Sequence, residues 1–212
     1  MQRRLKRGFD IAGAVFGLAL AAPVMALAAL LIRWRMGPPV LFRQSRGGLN
    51  GSVFTLYKFR TMTTGGDTRG EPLDDDRRLT RLGRWLRAAS LDELPQLWNV
   101  LRGEMSLVGP RPLYSRYLAR YNDFQRRRLQ MRPGLTGLAQ VTGRNALSWE
   151  RKFELDIRYV EHWSLWLDAA ILIRTLAGVA RREGISQAGH ATMPEFLGEQ
   201  EGRLTPWIKQ PH

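Results

Sequence analysis

Between Ile11 and Ile32 the chain reads IAGAVFGLALAAPVMALAALLI, without a single charge. A straight helix over this stretch would be ~33 Å long, just enough for a bilayer core. Its flanks, MQRRLKRGFD before and RWRMGPP after, both carry Arg and Lys, so the preference for positive charge on the cytoplasmic side assigns no orientation. If both basic ends stay on that side, the segment has to enter the membrane and turn back. Pro23 lies near its middle, where the ring removes one backbone hydrogen bond and clashes with the preceding turn, which gives a kink a cause. A transmembrane helix that tolerates its proline accounts for the same residues. Ala26-Leu27-Ala28 resembles a signal-peptide cleavage site, but the apolar run exceeds the usual signal core. The residues by themselves leave a span and a hairpin both open.

The chain has 212 residues, with 33 Lys+Arg against 19 Asp+Glu and a formal net charge of +14. That length suits one domain, which would bury roughly 70% of its unfolded surface. Cysteine is absent, which excludes disulfides and thiolate metal sites. His162, His190 and His212 are scattered and match no zinc-ligand spacing. So positive a balance favours phosphate-rich partners: nucleic acid, anionic lipid or nucleotide-type substrates. No RNA-type aromatic platform or DNA-reading motif is present, which argues against nucleic acid.

Beyond the apolar segment, PPVLFRQSRGGLNGSVFTLYKFRTM alternates β-like runs with glycine-rich turns, and Arg46–Gly51 is the hairpin signal. In its second run, strand period sets Phe54, Leu56 and Lys58 on one face. Residues 63–80 read as a polar loop. TRLGRWLRAAS and LPQLWNVLRG read as amphipathic helices, the second capped by Gly103. Residues 104–113 do not fit a helix, and 114–131 read as a basic helix ending before Pro133. RPGLTGLAQVTGRN suggests short strands and turns. SWERKFELDIRYVEHW and LWLDAAILIRTLAGVARREGI are the last two helices, the latter interrupted by Asp168 and Arg174 and too charged to span. With Trp163 and Trp166 near its start, that helix suits a core or a membrane surface.

Within SLDELPQLWN, Asp92 and Glu93 are adjacent. Ser90-x-x-Glu93 has the form of a capping box, and Asp92 would then occupy a first helical turn. Two features favour chemistry instead. Pro95 follows so closely that the backbone there is expected to be broken. Lys58, Arg84, Arg87, Arg102 and Arg111 lie in the flanking segments, and carboxylates near several cations have lowered pKa values and stay ionised. This suits a carboxylate nucleophile beside a group that holds a metal or moves a proton. In VGPRP, Arg111 stands between two prolines that restrict its backbone, a setting for bidentate phosphate contact. Asp74-x-Asp76 has the form of a metal site of nucleotide-sugar glycosyl transferases, but the signal is weak, and in a glycine-rich loop followed by Arg77-Arg78 a solvated acidic run is the better explanation.

Taken together, KRGFDIAGA running into Pro23, YKFRTM, SLDELPQLWNVLRGEMSLVGPRP and RPGLTGLAQVTGRN resemble the bacterial sugar transferase family, the monotopic phosphoglycosyl transferases. The resemblance covers about residues 4 to 197. GRNALSWERKFELDIRYVEHWSLWLD and GHATMPEFLG look most like the members that transfer N,N′-diacetylbacillosamine phosphate. The resemblance implies an α+β, mainly helical fold. A re-entrant membrane helix broken at Pro23 would occupy residues 1–35, a cytoplasmic catalytic domain at the interface residues 36–198, and a polar tail residues 199–212. Amphipathic interfacial helices and a small β-hairpin complete it. Many members carry Ser-Pro at the break, where this chain has Ala22-Pro23.

The implied reaction moves a sugar 1-phosphate from a UDP-sugar to undecaprenyl phosphate with release of UMP. Asp92 would be the nucleophile and Glu93 would help hold Mg²⁺. Lys58, Arg87 and Arg111 match the family's basic site positions, with Arg111 on the lipid phosphate, and Arg144 and Asn145 would touch nucleotide or sugar. Such an enzyme works at the bacterial inner membrane facing the cytoplasm, against anionic headgroups, and admits a homodimer. The rival readings are a metal-dependent glycosyl transferase that uses Asp74-x-Asp76 and releases UDP, and a basic membrane-anchored binding protein in which Asp92 is dispensable.

Overall fold

The computed structural model describes residues 2–63, 78–143, 146–180 and 195–198. The uncharged segment lies inside helix α1 (Gln2–Met36), which is long and apolar enough to cross a membrane. Pro23 does not end this helix; helical backbone continues on both sides of it. Phe9, Phe16, Leu20, Leu27, Leu30 and Trp34 are all exposed along α1, an apolar surface of the kind that marks a lipid or partner contact.

Both ends of α1 are tied to the rest of the chain. Near the start, Lys6 Nζ lies 2.6 Å from Asp168, and Arg7 donates to the carbonyls of Val100 and Leu101 at 2.6 and 2.8 Å. Asp10 accepts from Ser106 Oγ and Leu107 N, both at 2.9 Å. At the far end Arg60 donates to the carbonyls of Met36, Gly37 and Pro38.

The expected hairpin forms from β1 (Leu41–Gly47) and β2 (Val53–Phe59), antiparallel with Leu41 opposite Phe59 and Gly47 opposite Val53. Its turn places Asn50 at positive φ, a conformation that asparagine tolerates. Side chains of β2 pack against two successive stretches of α1. Phe54 and Leu56 meet Ala14, Leu97, Val100 and Met105, and Phe59 meets Ala28, Ile32 and Leu86. Ile32 and Leu86 are fully buried, and each such side chain contributes ~1.5–3 kcal/mol relative to exposure.

Helix α2 (Arg81–Ala88) starts where Thr80 caps Gly83 N, and α3 (Gln96–Arg102) stops at Gly103 in the left-handed conformation. β3 (Ser106–Val108) pairs in parallel with β4 (Gly134–Thr136). The single helix expected over 114–131 is corrected to three short pieces: 3-10 turns at Ser115–Arg120 and Arg127–Gln130, with α4 (Asp123–Arg126) between them. Tyr121 is extended, and Asn122 with Gln125 forms a capping box that begins a fresh turn. Strand β4 is followed by a short helix, α5 (Leu138–Thr142), where only strands and turns were expected. Helices α6 (Trp149–Glu161) and α7 (Leu165–Ala180) close the domain over Val108, Met131, Tyr159 and Ile171. The fold is α+β and mainly helical.

Candidate active site

Asp92 and Glu93 lie on one 3-10 turn, Leu91–Glu93, between α2 and α3. The capping-box expectation is corrected. Ser90 is left-handed (φ 55°, ψ 19°) and its side chain caps nothing, whereas an N-cap serine needs extended backbone. Helix α3 begins only at Gln96, after Pro95. The backbone at the pair is therefore broken, as the proline spacing suggests.

Two cations converge on Glu93. Lys58, carried inward on β2 beside Phe54 and Leu56, places Nζ 3.3 Å from Glu93 Oε1. Arg111 Nη2, from the loop after β3, lies 2.8 Å from the same oxygen. Asp92, 7% exposed, accepts no hydrogen bond from a described residue. Arg87 donates from Nε to Thr61 Oγ1 at 3.1 Å and acts on Asp92 through its charge. Arg84 binds the Leu79 carbonyl and Arg102 pairs with Glu104, so these two expected neighbours serve elsewhere. Arg144, Asn145, Asp74 and Asp76 lie outside the described residues.

The two carboxyls titrate apart. Burial pushes Asp92 up to about 6, helped by the Glu93 charge and opposed by Lys58, Arg87 and Arg111. Burial also acts upward on Glu93, but the charges and hydrogen bonds of Arg111 and Lys58 prevail and hold it down at about 2. The expectation that nearby cations lower both carboxyls is thus corrected for Asp92, where desolvation is the larger effect. Adjacent titratable groups driven apart in this way mark divided roles.

kcat/KM should rise with an apparent pKa near 6 as Asp92 ionises. Glu93→Gln removes a like charge and releases Arg111 and Lys58 towards Asp92, so the limb should move to lower pH. Lys58→Met should move it to higher pH. Residual rates across pH 4–9, roughly the accessible range, measure this; a limb that stays fixed in both variants contradicts the assignment.

Among the described residues no three acidic or histidine side chains gather into a metal cage. The pair nevertheless fits Mg²⁺, which commonly takes one or two carboxylates and completes its shell with water and substrate phosphate. Glu93 Oε2 receives no hydrogen bond from a described residue, so it has capacity to spare.

The structure adds residues that the sequence did not single out. Arg128 and Asp156 form a buried ion pair at 2.6 Å, and the same guanidinium reaches the Arg111 carbonyl. Arg46 binds the next carbonyl, that of Pro112. Lys152 is held down at about 8 by burial and by repulsion from Arg111. Arg128 sits in the run RRR at 126–128, where nothing distinguishes it from its neighbours.

The arrangement has known counterparts. The family model for bacterial sugar transferase matches residues 1–182. The "Uncharacterized sugar transferase EpsL" of Bacillus subtilis (strain 168) is 51% identical over 194 residues, covering 92% of this chain and 96% of that protein. The "UDP-glucose:undecaprenyl-phosphate glucose-1-phosphate transferase" of Caulobacter vibrioides is 48% identical over 183 residues, covering 81% and 68%. The "Undecaprenyl-phosphate galactose phosphotransferase" of Salmonella typhimurium is 42% identical over 199 residues, covering 86% of this chain but 42% of that longer protein. With the match running through the broken turn, the hairpin lysine and the VGPRP loop, the chain belongs to the bacterial sugar transferase family and is a phosphoglycosyl transferase.

Proposed function

We propose that the protein transfers a sugar 1-phosphate from a UDP-sugar to undecaprenyl phosphate, releasing UMP, in two steps through a phosphosugar-aspartyl intermediate on Asp92. The supporting observation is the division within the carboxylate pair. Lys58 and Arg111 both engage Glu93 Oε1, while Asp92 stays unpaired among the described residues, with a pKa about 6. A nucleophile needs lone pairs not committed to donors, together with ionisation at neutral pH.

In the first step an Asp92 oxygen attacks the phosphorus that bears the sugar. The bond from that phosphorus to the UMP oxygen breaks, and UMP leaves. In the second, an oxygen of undecaprenyl phosphate attacks the same phosphorus and the Asp92 carboxylate departs. Lys58, Arg87 and Arg111 balance phosphate charge, with Arg111 on the lipid phosphate; Arg144 and Asn145 are proposed at the nucleotide or sugar. Mg²⁺, when bound, supplies further charge neutralisation for the diphosphate, and Glu93 with substrate oxygens would hold it. The sugar is proposed to be N,N′-diacetylbacillosamine or a related N-acetylated sugar.

A water-soluble donor and a lipid acceptor meet at the membrane interface, and we place the protein there, at the bacterial inner membrane facing the cytoplasm. The exposed Trp85, Trp98 and Trp166 suit headgroup depth, and the formal net charge of +14 suits anionic lipid. One body holds α1 at Lys6, Arg7 and Asp10 and again at its last residue, Met36. A body on one side of a bilayer cannot hold both ends of a helix that crosses it, which supports a re-entrant α1 over residues 1–35. The native chain lacks cysteine, so Gln2→Cys and Ser45→Cys can be labelled one at a time in intact spheroplasts. Both should resist an impermeant maleimide until the membrane is opened. Labelling of Gln2→Cys alone from outside would establish a true span.

The reaction is tested by nucleotide release. Purified protein in detergent receives undecaprenyl phosphate, Mg²⁺ and a panel of UDP-sugars that includes UDP-N,N′-diacetylbacillosamine, UDP-glucose and UDP-galactose. UMP is the expected product, and the preferred donor identifies the sugar. UDP instead would indicate ordinary glycosyl transfer and direct attention to Asp74-x-Asp76.

A further inference from the structure

We infer that Arg128 and Arg46 are positioning residues for Arg111, two guanidiniums outside the carboxylate pair that fix the backbone carrying it. The inference rests on the proposed role of Arg111 towards phosphate.

In Pro110-Arg111-Pro112 both prolines lack an N–H, so the loop has few donors with which to stabilise itself. Its carbonyls are taken from outside, one after another. Gly134 N donates to Pro110 O at 2.9 Å, Arg128 Nη2 to Arg111 O at 2.6 Å, Arg46 Nη1 to Pro112 O at 3.3 Å, and Gly47 N to Leu113 O at 3.0 Å. Four successive carbonyls are thus held, and the two nearest the guanidinium chemistry are held by charged side chains.

Arg128 is 3% exposed. Its Nε and Nη2 hold Asp156 Oδ2 at 3.0 and 2.6 Å, and Nη1 reaches Tyr121 OH at 3.3 Å. A buried ion pair is a poor source of stability, because desolvation offsets its attraction. What it does provide is a rigid fork with one donor left for the Arg111 carbonyl. Arg46 stacks over Tyr114 at 4.0 Å and is braced by Gln44 at 2.5 Å. The Arg111 side chain, by contrast, is 46% exposed. An accessible guanidinium therefore rides on a pinned backbone, and displacement of about 1 Å at such a group can cost on the order of 100-fold in rate.

The test is a double-mutant cycle on UMP release, with melting temperatures measured in parallel. Arg128→Lys keeps a positive charge against Asp156 but loses the fork that reaches Arg111 O. It should lower kcat/KM by about 10- to 100-fold in the wild-type background and by less than about twofold when Arg111→Ala is already present. Equal losses in both backgrounds would make Arg128 an independent structural residue and overturn the inference, as would unchanged activity of the single variant. Wild-type activity in Arg111→Ala alone would remove the phosphate role of Arg111, and the positioning role with it, while UMP release by the wild type would still stand. Should Arg128→Lys fail to fold, Arg46→Lys in the same cycle decides the matter, since its loss must likewise vanish without Arg111.

Discussion

Asp92→Asn should lose turnover by roughly ten-thousandfold or more, and at pH 7.5 it should melt at a higher temperature than the wild type. The second effect follows from the first role. Burial raises the folded-state pKa of Asp92 to about 6, above its value in the unfolded chain. Between the two values the folded protein binds the extra proton, so stability is full below the unfolded pKa and is lost as pH rises through about 6. At neutral pH the buried charge therefore costs up to ~3 kcal/mol, and replacing it with an amide should return on the order of 1–3 kcal/mol after allowing for the amide's own hydrogen-bonding needs. The gain should shrink towards zero below about pH 4. Were Asp92 merely an acidic first-turn residue, removing it would lower the melting temperature at neutral pH and leave turnover intact. Differential scanning fluorimetry at two pH values, alongside UMP release, separates the two accounts.

Gly134→Ala is expected to cost at least ~3 kcal/mol and to abolish the folded protein in most preparations. An alanine Cβ at 134 would lie 2.1 Å from Gly109 N and 2.3 Å from Thr136 O, both backbone atoms that cannot swing aside. Gly109 and Gly137 are equally confined, their added carbons falling 2.3 Å from Arg132 O and 2.1 Å from Gly109 O. Three glycines thus let the VGPRP and RPGLTG segments cross backbone to backbone, and this crossing carries Arg111 to the end of β3. A Gly134→Ala protein with an unchanged melting temperature would show that the crossing yields without cost.

This crossing also shows where the sequence was readable. The hairpin, its turn and the helices at Arg81–Ala88, Trp149–Glu161 and Leu165–Ala180 follow from local patterns: alternation, capping residues and apolar stripes. The carboxylate pair and its partners Lys58 and Arg111 were legible as residue types, because Pro95 announces a broken turn and two prolines frame the arginine. Three things were not legible, each for a non-local reason. The basic stretch 114–131 carries a helical pattern, but Tyr121 packs with Phe153 and Phe196, and the chain takes extended backbone there. Arg126, Arg127 and Arg128 look alike in sequence, and only Asp156, 28 positions further on, makes the third a buried residue while the other two stay exposed. The direction of the Asp92 shift depends on how much water its neighbours exclude, which charge counting along the chain does not measure.

The central claim is that Asp92 takes the phosphosugar covalently, and intact-mass spectrometry of the enzyme tests it most directly. Wild-type protein mixed with its UDP-sugar and Mg²⁺, without undecaprenyl phosphate, should gain the mass of one sugar phosphate and lose it when the acceptor is added. Fragmentation should place the adduct on Asp92, and Asp92→Asn should gain nothing. An unmodified wild-type enzyme that nevertheless releases UMP once the acceptor is present would contradict the account, because transfer would then pass directly from donor to lipid.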